Sequence, residues 1–229
     1  AGGKGSYDIA LANMKKLVER RGDKEYYIRG TFTARNLDFT EDVKHLRNLG
    51  FEQLSLEPVV LPDDSPYAIL EEHVARVLEE YETLADYVLQ SRQKEDTWLN
   101  FFHFMIDLSG GPCLKKRIAG CGAGVEYVAV TPEGDIYPCH QFVGQEKMKM
   151  GSVLTGELDA DIRRMFAACT LLDKPACRDC WCKYFCSGGC AANAYLYNGD
   201  IRQPYSRTCE FLKKRTELAL GIYAAEHRK

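Results

Sequence analysis

The sequence predicts an α/β protein in two parts: helices alternating with parallel strands over residues 1–108, then a cysteine-rich α+β domain over 109–229. Three observations carry this. Twice within the first sixty residues, apolar side chains at helical spacing give way to an aromatic and β-branched run. Gly110-Gly111-Pro112 then punctuates the chain. Beyond it, seven cysteines fall as C-x12-G-x4-C, C-x2-C-x5-C-x3-C and a distant C.

The totals set the frame. The chain has 229 residues, 45% hydrophobic and 28% charged, as in a globular protein with a substantial core. Its net charge of −3 gives no electrostatic reason to expect nucleic acid or a membrane surface as partner. No apolar run approaches the roughly 18–20 residues needed to span a bilayer. Ala1-Gly2-Gly3-Lys4-Gly5 lacks the apolar stretch of a signal peptide. The expected compartment is the reducing cytoplasm, where ten cysteines read as metal or cluster ligands rather than disulfides.

Taken in order, Ser6 is a candidate cap for a helix whose buried face would carry Leu11, Met14, Leu17 and Val18, with Gly22 closing it. Tyr26 to Thr33 reads as a strand. Thr40 would cap a second helix, with Glu41 and Asp42 in its first turn, Leu46 and Leu49 facing inward and Gly50 at its end. Phe51 to Leu61 supplies another strand. Two βα units at this spacing indicate a parallel sheet, but they cannot close a barrel or complete a doubly wound sheet. Past Pro58, Pro62 and Pro66, a long helix is expected over 69–93, with Val74, Val77, Leu78, Tyr81, Leu84, Ala85 and Val88 on one stripe. The apolar run Trp98 to Leu108 reads as a helix.

In the second part, Glu126–Val130 and Asp135–Cys139 flank Thr131-Pro132-Glu133-Gly134, the signature of a β-hairpin. Cys139 then ends the second strand, and Cys121 precedes the first. A short helix is expected over 158–168, a cysteine-dense loop over 177–190, and a terminal helix from Cys209 to about His227.

The cysteine spacing suits an iron–sulfur cluster, which needs thiolates converging from several directions. C-x2-C and C-x3-C wrap a corner, and a distant cysteine closes the cage. Gly188 and Gly189 let the backbone approach inorganic sulfide. Zinc fits less well: one C-x2-C pair occurs, and none of the five histidines has finger spacing.

This order of seven cysteines resembles the SPASM auxiliary-cluster domain of radical SAM peptide-modifying enzymes, over roughly Cys113 to the C-terminus. The stretch from Gly5-Ser6-Tyr7-Asp8 through Arg29-Gly30-Thr31 to Ser55-Leu56-Glu57-Pro58 resembles the second half of that family's partial (β/α)6 barrel. Gly120-Cys121-Gly122-Ala123-Gly124 and Tyr137-Pro138-Cys139-His140-Gln141-Phe142 are similar to the maturases of six-cysteine SCIFF peptides. The resemblance implies two auxiliary [4Fe–4S] clusters. Cys121, Cys139 and Cys190 would hold the first; Cys177, Cys180, Cys186 and Cys209 would hold the second.

For the first cluster two readings are open: Cys113 is its fourth ligand, or one iron is open to a substrate thiolate. The C-x3-C-x2-C triplet that binds the S-adenosylmethionine-cleaving cluster does not occur, since Cys182, Cys186 and Cys190 have x3 and x3 spacing. The resemblance therefore leads us to expect an N-terminal portion before Ala1 carrying that third cluster; the alternative is a remnant without radical chemistry. The complete enzyme would use a 5′-deoxyadenosyl radical to form sulfur-to-carbon thioether links in a Cys-rich precursor peptide. A low-potential donor such as a flavodoxin or ferredoxin would supply electrons. Alternatives are a different peptide oxidation, such as formylglycine formation in sulfatases, and a non-enzymatic electron carrier.

The remaining candidates each have a functional and a plain reading. His140 has a pKa suited to a substrate base, or is a histidine beside the cluster. Arg29 and Glu57, on barrel strands, would contact S-adenosylmethionine or peptide, or form internal ion pairs. His103 reads as a satisfied core residue, and Cys169 and Cys182 as free thiols. Lys115, Lys116 and Arg117 read as a solvated basic run.

Overall fold

The chain opens with α1 (Tyr7–Arg21), followed by β1 (Ile28–Phe32), α2 (Phe39–Asn48) and β2 (Gln53–Pro58). After a 3-10 turn comes the long α3 (Val74–Arg92) and then β3 (Asn100–Phe101). A computed structural model describes residues 5–93, 98–108, 110 and 113–228. Ala1 to Lys4, and Gly111 and Pro112 of the punctuation, lie outside the described residues.

The three strands form one parallel sheet in the order β1-β2-β3, with Ile28 opposite Leu54 and Leu54 opposite Phe101. Their inward side chains, Ile28, Phe32, Leu54, Leu56 and Phe101, are buried. The stripe of α3 covers them: Val77, Tyr81, Leu84 and Val88 are fully buried. Phe32 stacks on Phe39 with ring centroids 4.2 Å apart, and Phe39 meets Tyr81 at 5.0 Å. Each such buried aromatic contributes on the order of 1.5–3 kcal/mol.

Three expectations for this region are corrected. Trp98 to Leu108 is not a helix; it holds β3 and a 3-10 turn over Phe102–Phe104. Leu99, Phe101 and Phe104 are buried while Trp98 and Phe102 are exposed, and a strand of two residues is too short for a period that would tell it from a helix. Thr40 does not cap α2, since Phe39 is already helical and Asp38 precedes it. Thr40 is instead buried, its N–H donating to the Glu80 carboxylate at 2.9 Å, while Arg76 pairs with Glu80 at 2.7 Å. Finally, α1 has no buried residue, and Leu17 is exposed. Periodicity identifies an apolar face but not what covers it.

Two compact units result, one of residues 1–61, 66–105 and 218–229, the other of 62–65 and 106–217. The second contains α4 (Leu114–Ala119) and a four-stranded antiparallel sheet of β4 (Ala129–Val130), β5 (Asp135–Tyr137), β6 (Gly151–Ser152) and β7 (Glu157–Leu158). The β4–β5 turn is closed by the Thr131 N–H donating to Asp135 O at 2.9 Å. Gly134 turns it at φ +89°, which glycine adopts readily. Next is α5 (Ala160–Ala167), whose cap Asp159 accepts from the Asp161 and Ile162 N–H groups at 2.7 and 3.0 Å. Two single-turn helices follow, α6 (Pro175–Arg178) and α7 (Lys183–Cys186), where an irregular loop was expected. They precede α8 (Ala191–Asn198) and α9 (Ser206–Glu226).

A core of Tyr137, Phe142, Met148, Phe166, Ala192 and Ile201 joins the hairpin to α5 and α8. Phe142 is completely buried and meets Phe166 edge-on at 5.4 Å. No helix among the described residues is long and apolar enough to cross a membrane.

Candidate metal centre

Seven cysteines from separate turns and helices of the second unit form two groups. The first group is Cys121, Cys139 and Cys190. Cys121 follows α4 in a turn whose glycines 120, 122 and 124 all have φ near +70 to +77°. Buried Cys139 lies two residues past β5 rather than ending that strand as expected, and it starts a 3-10 turn, the Phe142 N–H donating to its carbonyl at 3.0 Å. Cys190 is the N-cap of α8, beside the free N–H groups of that helix's first turn. Burial raises its pKa, and the nearby Cys139 and Cys121 charges add to the rise. Tyr127 lies beside the group: burial raises its pKa, and the Cys121 and Cys139 charges add to it.

The second group is Cys177, Cys180, Cys186 and Cys209. All four line one cavity of about 60 Å³, with Cys182, Gly188 and Gly189. Cys177 lies in α6, Cys186 ends α7, and Cys209 occupies the first turn of α9. Their titration reflects closeness. Burial raises Cys209 to about 11, with Cys186 and Cys177 adding to it. A hydrogen bond from the Cys182 thiol lowers Cys186 to about 6, helped by the Gly188 and Gly189 N–H groups and by the Lys174 charge. Cys182 is 1% exposed and also meets Thr216 Oγ1 at 3.1 Å.

Between the groups runs a strap, Ser187-Gly188-Gly189, with three successive positive φ values of +56, +82 and +74°. Ser187 is the only non-glycine of that kind among the described residues. A side chain on Gly120 would lie 3.2 Å from the Ser187 carbonyl, so the backbone before Cys121 rests directly against the strap.

The arrangement suits clusters better than single ions. Among the described residues, no three His, Cys, Asp or Glu side chains converge on one ion-sized point. Mononuclear zinc needs sulfurs about 2.3 Å from a common centre, whereas a cubane takes its thiolates at separate corners. Glycine-lined backbone with N–H groups aimed at sulfur fits such a group.

The remaining candidates fall elsewhere. Cys113 is exposed at the start of α4, with Cys121 just past its other end. His140 is exposed beside Cys139. Cys169 donates to Ile201 O at 3.4 Å. Of the basic run, Lys115 pairs with Glu126 at 3.0 Å, and Arg117 donates to Tyr184 O at 3.4 Å. In the first unit, the register places Arg29 opposite Ser55 and Thr31 opposite Glu57, on one face of the sheet. His103 Nε2 lies 3.1 Å from Ser55 Oγ and 3.3 Å from the Glu57 carboxylate. That polar face was visible in the sequence only as Arg29 and Glu57; Ser55 lies on β2 with Glu57, and His103 joins it from the 3-10 turn after β3. Lys174 and Tyr127 were not singled out, because their roles arise from contacts between distant segments.

Comparison with known proteins agrees with this chemistry. Residues 121–181 match the SPASM family, described as an iron–sulfur cluster-binding domain. No curated protein matches the chain. Among solved structures, hexahistidine-tagged anSMEcpe with bound AdoMet is similar at a TM-score of 0.66 and 14% identity, over 95% of this chain and 59% of that one. Native anSMEcpe with bound AdoMet gives 0.63 and 14%, over 93% and 60%. With AdoMet and a Kp18Cys peptide bound, that protein gives 0.61 and 14%, over 96% and 62%. The chain thus spans about three fifths of the length of these structures, and at this identity the likeness is one of fold. Residues 121–181 thus match an iron–sulfur cluster-binding domain, and the chain shares the fold of these AdoMet-binding structures.

Proposed function

We propose that the chain is the C-terminal part of a radical SAM peptide maturase that forms sulfur-to-carbon thioether links in a Cys-rich precursor peptide. The observation behind this reading is the sorting of seven cysteines into two adjoining groups, three and four strong, in the interleaved order of the SPASM resemblance. Cys121, Cys139 and Cys190 would hold one [4Fe–4S] cluster and Cys177, Cys180, Cys186 and Cys209 the other. When bound, such clusters supply one-electron redox chemistry.

The chain's own residues provide the setting. The N-terminus of α8 carries Cys190, and the Gly189 N–H, donating to the Cys186 carbonyl at 3.2 Å, ties the strap to Cys186. Tyr127 lies beside Cys121 and Cys139. Arg29, Ser55, Glu57 and His103 offer a polar sheet face for S-adenosylmethionine or peptide. A thioether forms when a carbon loses a hydrogen atom and a thiol loses a proton and an electron; the surplus electron needs an acceptor within the protein. The neighbour that carries a Kp18Cys peptide favours a second reading, oxidation of one side chain in a peptide without cross-linking.

Anaerobically purified protein should be brown and hold about eight irons per chain; colourless zinc protein would end the cluster reading. Incubation of the full-length enzyme with a Cys-rich peptide, S-adenosylmethionine and a reductant should remove two hydrogens' mass per thioether. Mass loss with free thiols retained would favour the second reading, and no mass change would leave an electron carrier.

A further inference from the structure

Lys174 is only 3% exposed, which places an ammonium inside the cysteine-rich unit. A lysine taken out of water is costly to the fold unless hydrogen bonds and counter-charge replace its hydration. Both are present. Its Nζ donates to the Gly188 carbonyl at 2.8 Å, and Gly188 lines the cavity of Cys177, Cys180, Cys186 and Cys209. The adjacent Asp173 is directed away, its carboxylate accepting from the Thr170 hydroxyl and N–H at 2.6 and 3.1 Å. Thiolates at that cavity would supply the negative charge on the far side of the glycine from this ammonium.

The connection runs through the backbone. The carbonyl of Lys174 accepts from the Cys177 N–H at 2.9 Å, so the residue starts the turn that carries one ligand. Its ammonium meets the C=O of the peptide joining Gly188 and Gly189, and the N–H of that same peptide donates to the Cys186 carbonyl at 3.2 Å. A cation on the carbonyl end polarises a peptide and strengthens the donor at its other end. Space is tight there: a side chain on Gly188 would lie 3.2 Å from Leu171 Cβ and 3.5 Å from Lys174 Nζ. The strap therefore has little room to shift away from the ammonium.

We propose that Lys174 is a positioning residue for the second cysteine group: through the Gly188–Gly189 peptide it fixes Cys186, and its charge raises the reduction potential of the cluster held there. The inference rests on the cluster reading given above. One-electron reduction adds a negative charge beside the ammonium, with no bond made or broken and no proton transferred, so the reduced form gains most.

The test uses the anaerobically reconstituted full-length protein, with iron counted first and reduction by dithionite then followed by electron paramagnetic resonance. Lys174→Gln keeps a donor for the Gly188 carbonyl but no charge; Lys174→Met keeps neither. We expect Lys174→Gln to retain its iron while one of the three reduction steps becomes about tenfold less favourable, about 59 mV for one electron. Lys174→Met should show the same shift and also lose iron from that group. An unchanged potential in iron-replete Lys174→Gln would overturn the inference, and should Lys174→Met fail to fold, that variant alone decides. Wild-type protein without iron would overturn the cluster reading instead.

Discussion

The two cysteine groups are built in opposite ways. Cys121, Cys139 and Cys190 come from a glycine turn, a 3-10 turn and a helix N-cap, brought together by the packed core around Phe142. Cys177, Cys180 and Cys186 come from ten consecutive residues of single-turn helices, and Cys209 alone arrives from a distance. The first group is positioned by tertiary packing. The second is positioned by local turns, a buried lysine and the strap. A defect in the core should therefore be felt at the first group, and a defect in the strap at the second.

The largest effect should come from removing a ligand on each side. Cys139→Ala and Cys186→Ala should each lose about four of about eight irons, with different spectra remaining; loss of all iron from either would mean that the groups are not separable. Next in size, Phe142→Ala should cost about 3–5 kcal/mol in denaturant unfolding, because its ring is fully buried. Its iron loss should fall on the first group. Gly188→Ala forces a side chain into φ +82° against the buried Leu171, at a cost of about 1–3 kcal/mol. Iron should then leave the second group, and equal loss from both would blur the contrast.

The smallest effect concerns Asp63, whose two oxygens each meet an Arg207 nitrogen at 2.9 Å, two residues before Cys209. Asp63→Asn should cost less than about 1 kcal/mol, since the pair is partly exposed. The hydrogen bond from Arg207 lowers the Asp63 pKa. Its stabilisation is therefore present above the ordinary carboxylate pKa and is lost as the pH falls through the depressed value. Melts of wild type and variant should converge in acid and differ at neutral pH.

What the sequence disclosed follows the range of each interaction. The stripe on α3, the hairpin turn and the cysteine spacings are local, so each could be read from neighbours. Trp98 to Leu108 misled because a two-residue strand is too short to show a period. The helical spacing of α1 was legible, but the buried face expected on it is not found, since none of its residues is buried. The partition of the cysteines came from resemblance rather than from spacing, since Cys190 stands only four positions from Cys186. Lys174 gave no signal at all: a lysine before a proline reads as solvated until Gly188, fourteen residues away, is seen to accept from it.

The strap also bears on how such a protein would be assembled. Three residues separate Cys186 from Cys190, so even fully extended their α-carbons lie within about 14 Å. Fixing one end removes most of the conformational entropy of the other. Iron taken up by either group would thus prepare the second for loading, and chains carrying a single cluster should be scarce at half-saturating iron.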